Sequence, residues 1–233
     1  MTATELRRVP GTTLAEKLGA AAGLWAVFWI ALHYTILQGA SADPAGATDM
    51  YVNALLGERM RWEWATALRI MGGLMIIWFM GSFAGRLRLI EGEPGRLASI
   101  AFGIGVLWGS IWVLSAMFNS AGILLATVYR NPDGARLVGA LAHEMVLVLT
   151  PSIVFVLALA TSFVGLRYGG FPRTYTYGTG LFTVIILALA IVDWYGPGNL
   201  GDLIMVAALA WTAISSALVI PPYRPTDILL GNR

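Results

Sequence analysis

Long apolar segments alternate with short polar connections along the whole chain. Each apolar segment reaches the length of about 20 residues that a helix needs to cross the hydrocarbon core of a bilayer. In lipid, a helix satisfies all of its own backbone hydrogen bonds. The pattern therefore predicts an all-α fold, a polytopic membrane helix bundle that forms one domain over residues 1–233. The six predicted transmembrane helices cover residues of about 18–38, 62–85, 97–128, 137–166, 175–195 and 200–220.

The amino-acid composition is typical of an integral membrane protein. Hydrophobic residues make up 58% of the chain and charged residues 12%, about half of the charged share of an ordinary soluble domain. The chain has no cysteine, which excludes disulfides, thiolate metal sites and cysteine nucleophiles. The basic residues are spread over short loops, so we predict the lipid bilayer and no nucleic acid as a partner.

Basic residues in the connections predict the orientation of the bundle, because Arg and Lys favour the cytoplasmic side. We predict both termini in the cytoplasm, in a multi-pass protein of the cell inner (plasma) membrane. The basic residues then inside are Arg7, Arg8, Lys17, Arg86, Arg88, Arg96, Arg167, Arg173, Arg224 and Arg233. Those outside are Arg59, Arg61, Arg130 and Arg136.

Polar side chains from different helices fall at one depth under this orientation. At about 1.5 Å per residue, His33 lies late in the first predicted helix and His143 early in the fourth, which puts both in the outer third of the membrane. Arg69, Ser115 and Asn119 fall in the same half. The acidic residues at the helix ends on this side are Glu63, Asp193 and Asp202.

The fourth predicted helix contains a polar pair. Between Leu137 and Val164 the ionisable residues are the adjacent His143 and Glu144. Ionisable residues inside a membrane segment are costly and suggest a functional site. We hypothesise an outward-facing polar pocket that binds or transports a small or lipid-like ligand. Its predicted residues are His33, Glu63, Arg69, Asn119, His143 and Glu144.

Arg69 lies well inside the second predicted helix and needs a partner, because burying an unpaired guanidinium is costly. Glu144 and Glu63 are the predicted carboxylate partners. Glu63 and Arg69 are six residues apart and do not share a helix face, so they cannot be assumed to pair with each other. A structural ion pair, an anion site and a proton-handling pair all fit this pattern.

The two histidines suggest a cofactor as an alternative. His33 and His143 lie at similar depth on different helices, as the axial ligands of haem b must. A metal ion held by the two histidines with Glu144 or Glu63 is a second alternative. The third is that each histidine hydrogen-bonds a neighbouring helix or an interfacial water.

The third predicted helix has one face that passes from small through aromatic to polar, typical of helix packing or of a cavity wall. The residues of this face are Gly105, Trp108, Trp112, Ser115 and Asn119. Because the uncharged run from 97 to 129 exceeds one straight crossing, we expect the helix to break or to leave the membrane at 119–122.

Gly-x-x-x-Gly pairs predict close packing in the inner half. These pairs are Gly19/Gly23, Gly81/Gly85, Gly105/Gly109 and Gly165/Gly169.

The second half of the chain resembles a set of uncharacterised actinobacterial six-helix integral membrane proteins. The residues that carry the resemblance are His143-Glu144, the turn Gly170-Phe171-Pro172-Arg173, Trp211 and Ser215-Ser216. The resemblance covers about the last hundred residues. It implies a membrane bundle and no known activity, so it assigns no functional residue.

Three classes of function fit the pattern. The first is the ligand-binding or transport protein described above. The second is an intramembrane enzyme that uses Glu63, Glu144 or Asp193 as acid or base, or a redox protein that uses the histidines. The third is an accessory structural subunit, in an oligomer or with a membrane partner, whose polar residues only join helices.

Overall fold

A computed structural model of the chain describes residues 14–37, 48–195 and 200–219. These residues form seven α-helices and no β-strand. All helices except α2 are long and apolar enough to cross a membrane. The protein is therefore a multi-pass membrane protein with an all-α fold, and the six predicted spans are confirmed. The helices are α1 (Leu14–Leu37), α2 (Thr48–Gly57), α3 (Arg59–Glu91), α4 (Arg96–Thr127), α5 (Pro132–Tyr168), α6 (Arg173–Tyr195) and α7 (Gly201–Val219).

Two of the three central helices, α3 and α5, are longer than predicted, whereas α4 has the predicted length. They contain 33 residues in α3, 32 in α4 and 37 in α5. A crossing needs about 20 residues, so these helices extend beyond the hydrocarbon core. The additional ends of α3 and α5 lie in segments that the sequence predicts as connections, because charged or turn-forming residues mark the limit of each apolar run.

Of the two alternatives at 119–122, the break is wrong, because α4 continues to Thr127, and an exit from the membrane there stays a prediction. Asn119 and Gly122 are buried against neighbouring helices. A Cβ at Gly122 would lie 3.3 Å from the carbonyl oxygen of Ala135 in α5. This close packing keeps the segment helical where its polar and small residues alone suggested an end.

The connection between the first two spans contains a short helix, α2, that was not predicted. Tyr51 and Leu55 lie one turn apart and are buried. They belong to a small apolar cluster with Trp62, Ile123, Ala126 and Ala135. This packing fixes α2 across the ends of α3, α4 and α5.

The spanning helices α1, α3, α4, α5 and α7 pack in a ring, in which consecutive helices of the chain are antiparallel and α7 is parallel to α5. α3 lies between α1 and α4, α4 packs along α5, and α7 fills the space between α1 and α5. α6 contacts α5 and only loosely α7. The core of this bundle includes Trp108 and Trp112 of α4 and Phe79 and Phe83 of α3, all fully buried.

The glycine pairs only partly pack as predicted. Gly105 and Gly109 meet α3, since added Cβ atoms would lie 2.3 Å from the Met80 side chain and 2.6 Å from the Gly73 carbonyl oxygen. Gly81 and Gly85 have nothing within 4 Å. Spacing alone therefore does not determine which face of a helix a glycine pair occupies. Gly19, Gly23 and Gly165 pack against neighbouring helices, whereas Gly169 follows α5 with φ +72°.

Successive crossings place six helix ends on the same side as α2, here called the α2 side. They are the C-terminal ends of α1, α4 and α6 and the N-terminal ends of α3, α5 and α7. This is the side predicted to hold the polar layer.

Candidate functional site

A chain of hydrogen bonds begins at His33, which is completely buried in α1. Its Nδ1 lies 2.7 Å from the carbonyl oxygen of Ala65, and its Nε2 lies 2.8 Å from Nη2 of Arg69. A carbonyl only accepts and a guanidinium only donates. Nδ1 therefore carries the proton, Nε2 accepts from Arg69, and the imidazole is neutral.

Ser115 extends the chain to α4 and α5. Nη1 of Arg69 donates to Ser115 Oγ at 2.6 Å, and Ser115 Oγ donates to the carbonyl oxygen of Ala142 at 2.7 Å. Each proton position in this series is fixed, because the guanidinium can only donate and the carbonyl oxygens can only accept. The series joins α1, α3, α4 and α5 at one level.

Arg69 keeps its charge in a mainly aromatic surrounding. The side chain is only 8% exposed, and its guanidinium carbon lies 5.7 Å from the centre of the Trp112 ring, within cation–π range. Its Nε has no hydrogen-bond partner. In the part of the chain that the structure describes, no carboxylate oxygen lies within 4.0 Å of this guanidinium.

A partly enclosed cavity of about 370 Å³ lies beside Arg69 on the α2 side. α1, α2, α3, α4, α5 and α7 all contribute to its wall. The charged and polar lining residues are His33, Arg69, Asn119, His143 and Asp202. The remaining lining residues are Tyr34, Tyr51, Trp62, Leu37, Val146, Leu147 and Gly139.

Several polar groups of this wall make no hydrogen bond. Trp62 Nε1 is buried without a partner. No bond within the described ranges involves the side chains of Asn119, His143, Tyr34 or Tyr51. Burial raises the pKa of the Tyr51 hydroxyl, so this group in α2 stays protonated and able to donate at neutral pH. The cavity therefore presents the polar side chains of Asn119, Tyr51 and the exposed His143, which no described residue hydrogen-bonds.

Four of the six predicted site residues meet at the cavity, namely His33, Arg69, Asn119 and His143. Glu63 does not, because its exposed carboxylate accepts from Arg59 at 2.7 Å. Glu144 is exposed and lies outside the cavity wall.

The predicted carboxylate partners of Arg69 must therefore be corrected. The guanidinium binds neutral groups, His33 and Ser115. Glu63 is six residues from Arg69 and projects from another face of α3. Glu144 follows His143 directly, and successive residues of a helix project about 100° apart, so only one of the pair can face the cavity.

The geometry also bears on the cofactor and acid–base alternatives. Both ring nitrogens of His33 are engaged by Ala65 and Arg69, so this imidazole has none to offer to haem iron or another metal. No cluster of three potential metal-binding side chains occurs among the described residues. The carboxylate of Asp193 accepts from the backbone N–H of Leu200 at 2.6 Å, which fixes the start of α7.

Sequence reasoning missed the aromatic part of the wall. Trp62 and Tyr34 lie near the predicted membrane boundary, a position typical of aromatic residues that anchor a helix at the interface. Asp202 lies at a predicted helix end, a position typical of a helix cap. Tyr51 belongs to a connection with no predicted structure. The pairing of Tyr51 with Leu55 at a spacing of four was the available signal for a helix with one buried face.

Comparison with known proteins adds no assignment. The chain matches no protein-family model, no curated protein and no solved structure.

Proposed function

We propose that this membrane protein binds a small ligand in the cavity on the α2 side, as a binding or transport protein of the plasma membrane. The observation that carries the proposal is the convergence of His33, Arg69, Asn119 and His143, from four helices, on one partly enclosed space. Ligand sites in helix bundles form in this way, from side chains that project inward from facing helices.

The unused polar groups favour binding over a purely structural role. A subunit whose polar residues only join helices would pair them with one another, because an unsatisfied buried polar group is costly. The His33–Arg69–Ser115 series is paired in this way. The amide of Asn119 makes no hydrogen bond to another described residue, and it borders the cavity, where a ligand can reach it.

Cysteine accessibility tests the proposal, since the natural chain has no cysteine. Asn119 is 9% exposed and lines the cavity, whereas Met117, two residues away on α4, is 59% exposed and lies outside it. Single Asn119→Cys and Met117→Cys variants would be treated in opened membrane vesicles with charged methanethiosulfonate reagents. These reagents attack the thiolate, which forms only where water reaches it.

We expect Asn119→Cys to react roughly 10-fold faster than Met117→Cys or more, despite its smaller exposed fraction, because a lipid-facing thiol does not ionise. Tyr129→Cys, in the exposed α4–α5 connection, provides the fully accessible reference. A contradicting result would be that Tyr129→Cys reacts while Asn119→Cys is as inert as Met117→Cys. This result would exclude a water-accessible cavity and with it the proposed function.

A further inference from the structure

We infer that the ligand of this cavity is a small monocarboxylate whose anionic group binds beside Arg69. The inference rests on the proposed function and names its ligand class. It starts from the charge of Arg69, which is buried and whose hydrogen bonds within the described ranges go to the neutral partners His33 and Ser115.

The acidic side chains near the α2 side are engaged elsewhere or lie at a distance. Glu58 and Glu63 pair with Arg61 and Arg59, and Asp133 accepts from Thr48 at 3.3 Å. Asp202 lines the cavity but lies more than 4.0 Å from any basic nitrogen in the described ranges. Among the described residues, the buried guanidinium therefore has no carboxylate within 4.0 Å, although a carboxylate is the usual partner of a buried cation.

The hydrogen-bonding character of the wall also selects an anion. Arg69 and Trp62 both line the cavity, and the nitrogens of their side chains can only donate. Asn119 lies one helical turn beyond Ser115, on the face that contacts Arg69, and its amide can donate as well. A carboxylate accepts several such bonds through two oxygens, and planar Arg groups match that geometry.

Size and the remaining wall restrict the rest of the ligand. A cavity of about 370 Å³ lies near the lower limit for small-molecule sites. Tyr34, Tyr51 and Val146 offer an aromatic and aliphatic surface to an apolar group. Asp202 disfavours a second negative charge, so the other end of the ligand is neutral or cationic.

Benzoate and benzamide form a matched pair of probes, because they have nearly the same shape and differ in charge. Thermal unfolding of the full-length protein in detergent would be followed with each probe. We expect benzoate to raise the unfolding temperature in a saturable manner and benzamide to leave it unchanged.

Arg69→Gln should weaken benzoate binding about 10- to 100-fold, the usual effect of removing a charged hydrogen-bond partner. Arg59→Gln, on the exposed start of α3, should have no effect.

A second variant keeps the test decisive if Arg69→Gln does not fold. Asn119→Asp places a carboxylate beside Arg69. We expect it to raise the unfolding temperature without ligand and to abolish the response to benzoate. A benzoate response that persists unchanged in Asn119→Asp would overturn the assignment of the anion to this position.

The nature of the second end of the ligand is tested by phenylalanine. If Asp202 binds an ammonium group, phenylalanine stabilises the protein more than benzoate does, and Asp202→Asn removes the difference. If the tail is neutral, benzoate remains the better ligand. Both results support a monocarboxylate.

Thiol reagents separate failure of the ligand class from failure of the cavity. Asn119→Cys should prefer an anionic over a cationic methanethiosulfonate by roughly 10-fold relative to Tyr129→Cys, because the nearby guanidinium attracts anions. A reactive Asn119→Cys without that preference, together with equal responses to benzoate and benzamide, would contradict the carboxylate and leave the cavity in place. An unreactive Asn119→Cys would remove both proposals.

Discussion

Ser115 is a small side chain of the site that connects three helices, α3, α4 and α5. Its oxygen accepts from Arg69 and its proton goes to the carbonyl oxygen of Ala142. Ser110, one and a half turns earlier on α4, bonds only its own helix through the carbonyl oxygen of Val106 at 2.8 Å. The two serines therefore make similar bonds with different structural consequences.

We predict that Ser115→Ala destabilises the protein by about 1–3 kcal/mol, the cost of leaving a buried donor unsatisfied. Here that donor is a charged Nη of Arg69. Ser110→Ala should change stability by less than about 0.5 kcal/mol, as surface substitutions usually do. The measurement is the unfolding temperature of each variant in the same detergent. Equal unfolding temperatures for the two variants would show that Ser115 does not hold the guanidinium.

At the scale of single residues, the sequence predicts the position of a side chain along its helix better than it predicts the group that the side chain binds. Helical rise predicts one depth for His33, Arg69, Asn119 and His143, and these four residues line one cavity. The partner of Arg69 was not predicted correctly, because pairing depends on the rotation of each helix about its axis. The hydrophobic pattern of a membrane helix with apolar residues on every face does not specify that rotation.

At the scale of elements, the backbones of α3 and α4 approach each other closely at two glycines. A Cβ at Gly73 would lie 2.7 Å from the carbonyl oxygen of Gly109, and a Cβ at Gly109 would lie 2.6 Å from the carbonyl oxygen of Gly73. Gly73 lies one turn from Arg69, so this crossing sets how α3 presents the guanidinium to α4. Small residues allow such crossings in membranes.

We predict that Gly73→Ala lowers stability by about 1–3 kcal/mol, because the added methyl group meets backbone that cannot rotate away. Gly81→Ala is the matched control on the same helix, where a Cβ meets nothing within 4 Å. It should be neutral or slightly stabilising, since alanine favours a helix more than glycine does. Unfolding temperatures in detergent would compare the two, and an undisturbed Gly73→Ala variant would contradict the close crossing.

The elements themselves were predictable to different degrees. The six spans follow from the length of their apolar runs, which is a strong signal. α2 is only 10 residues long, and most of its stability must come from packing of Tyr51 and Leu55 rather than from the helix alone. A segment of this kind gives little signal until its neighbours are known.

At the scale of the whole molecule, the two ends of the bundle differ in charge. Arg59, Arg61, Arg130 and Arg136 lie on the α2 side, and the other connections carry more basic residues. The rule that basic loops stay in the cytoplasm therefore predicts that the α2 side faces outward. The cavity would then take its ligand from outside the cell.

Single cysteines at the two ends test this orientation in intact cells. Tyr129 lies on the α2 side, between α4 and α5, and Glu93 lies on the opposite side, between α3 and α4. Neither substitution changes the basic residues that set the topology. We expect a membrane-impermeant thiol reagent to label Tyr129→Cys in intact cells and Glu93→Cys only after the membrane is opened. The reverse pattern would place the cavity on the cytoplasmic side, and a monocarboxylate would then be drawn from the cytoplasm.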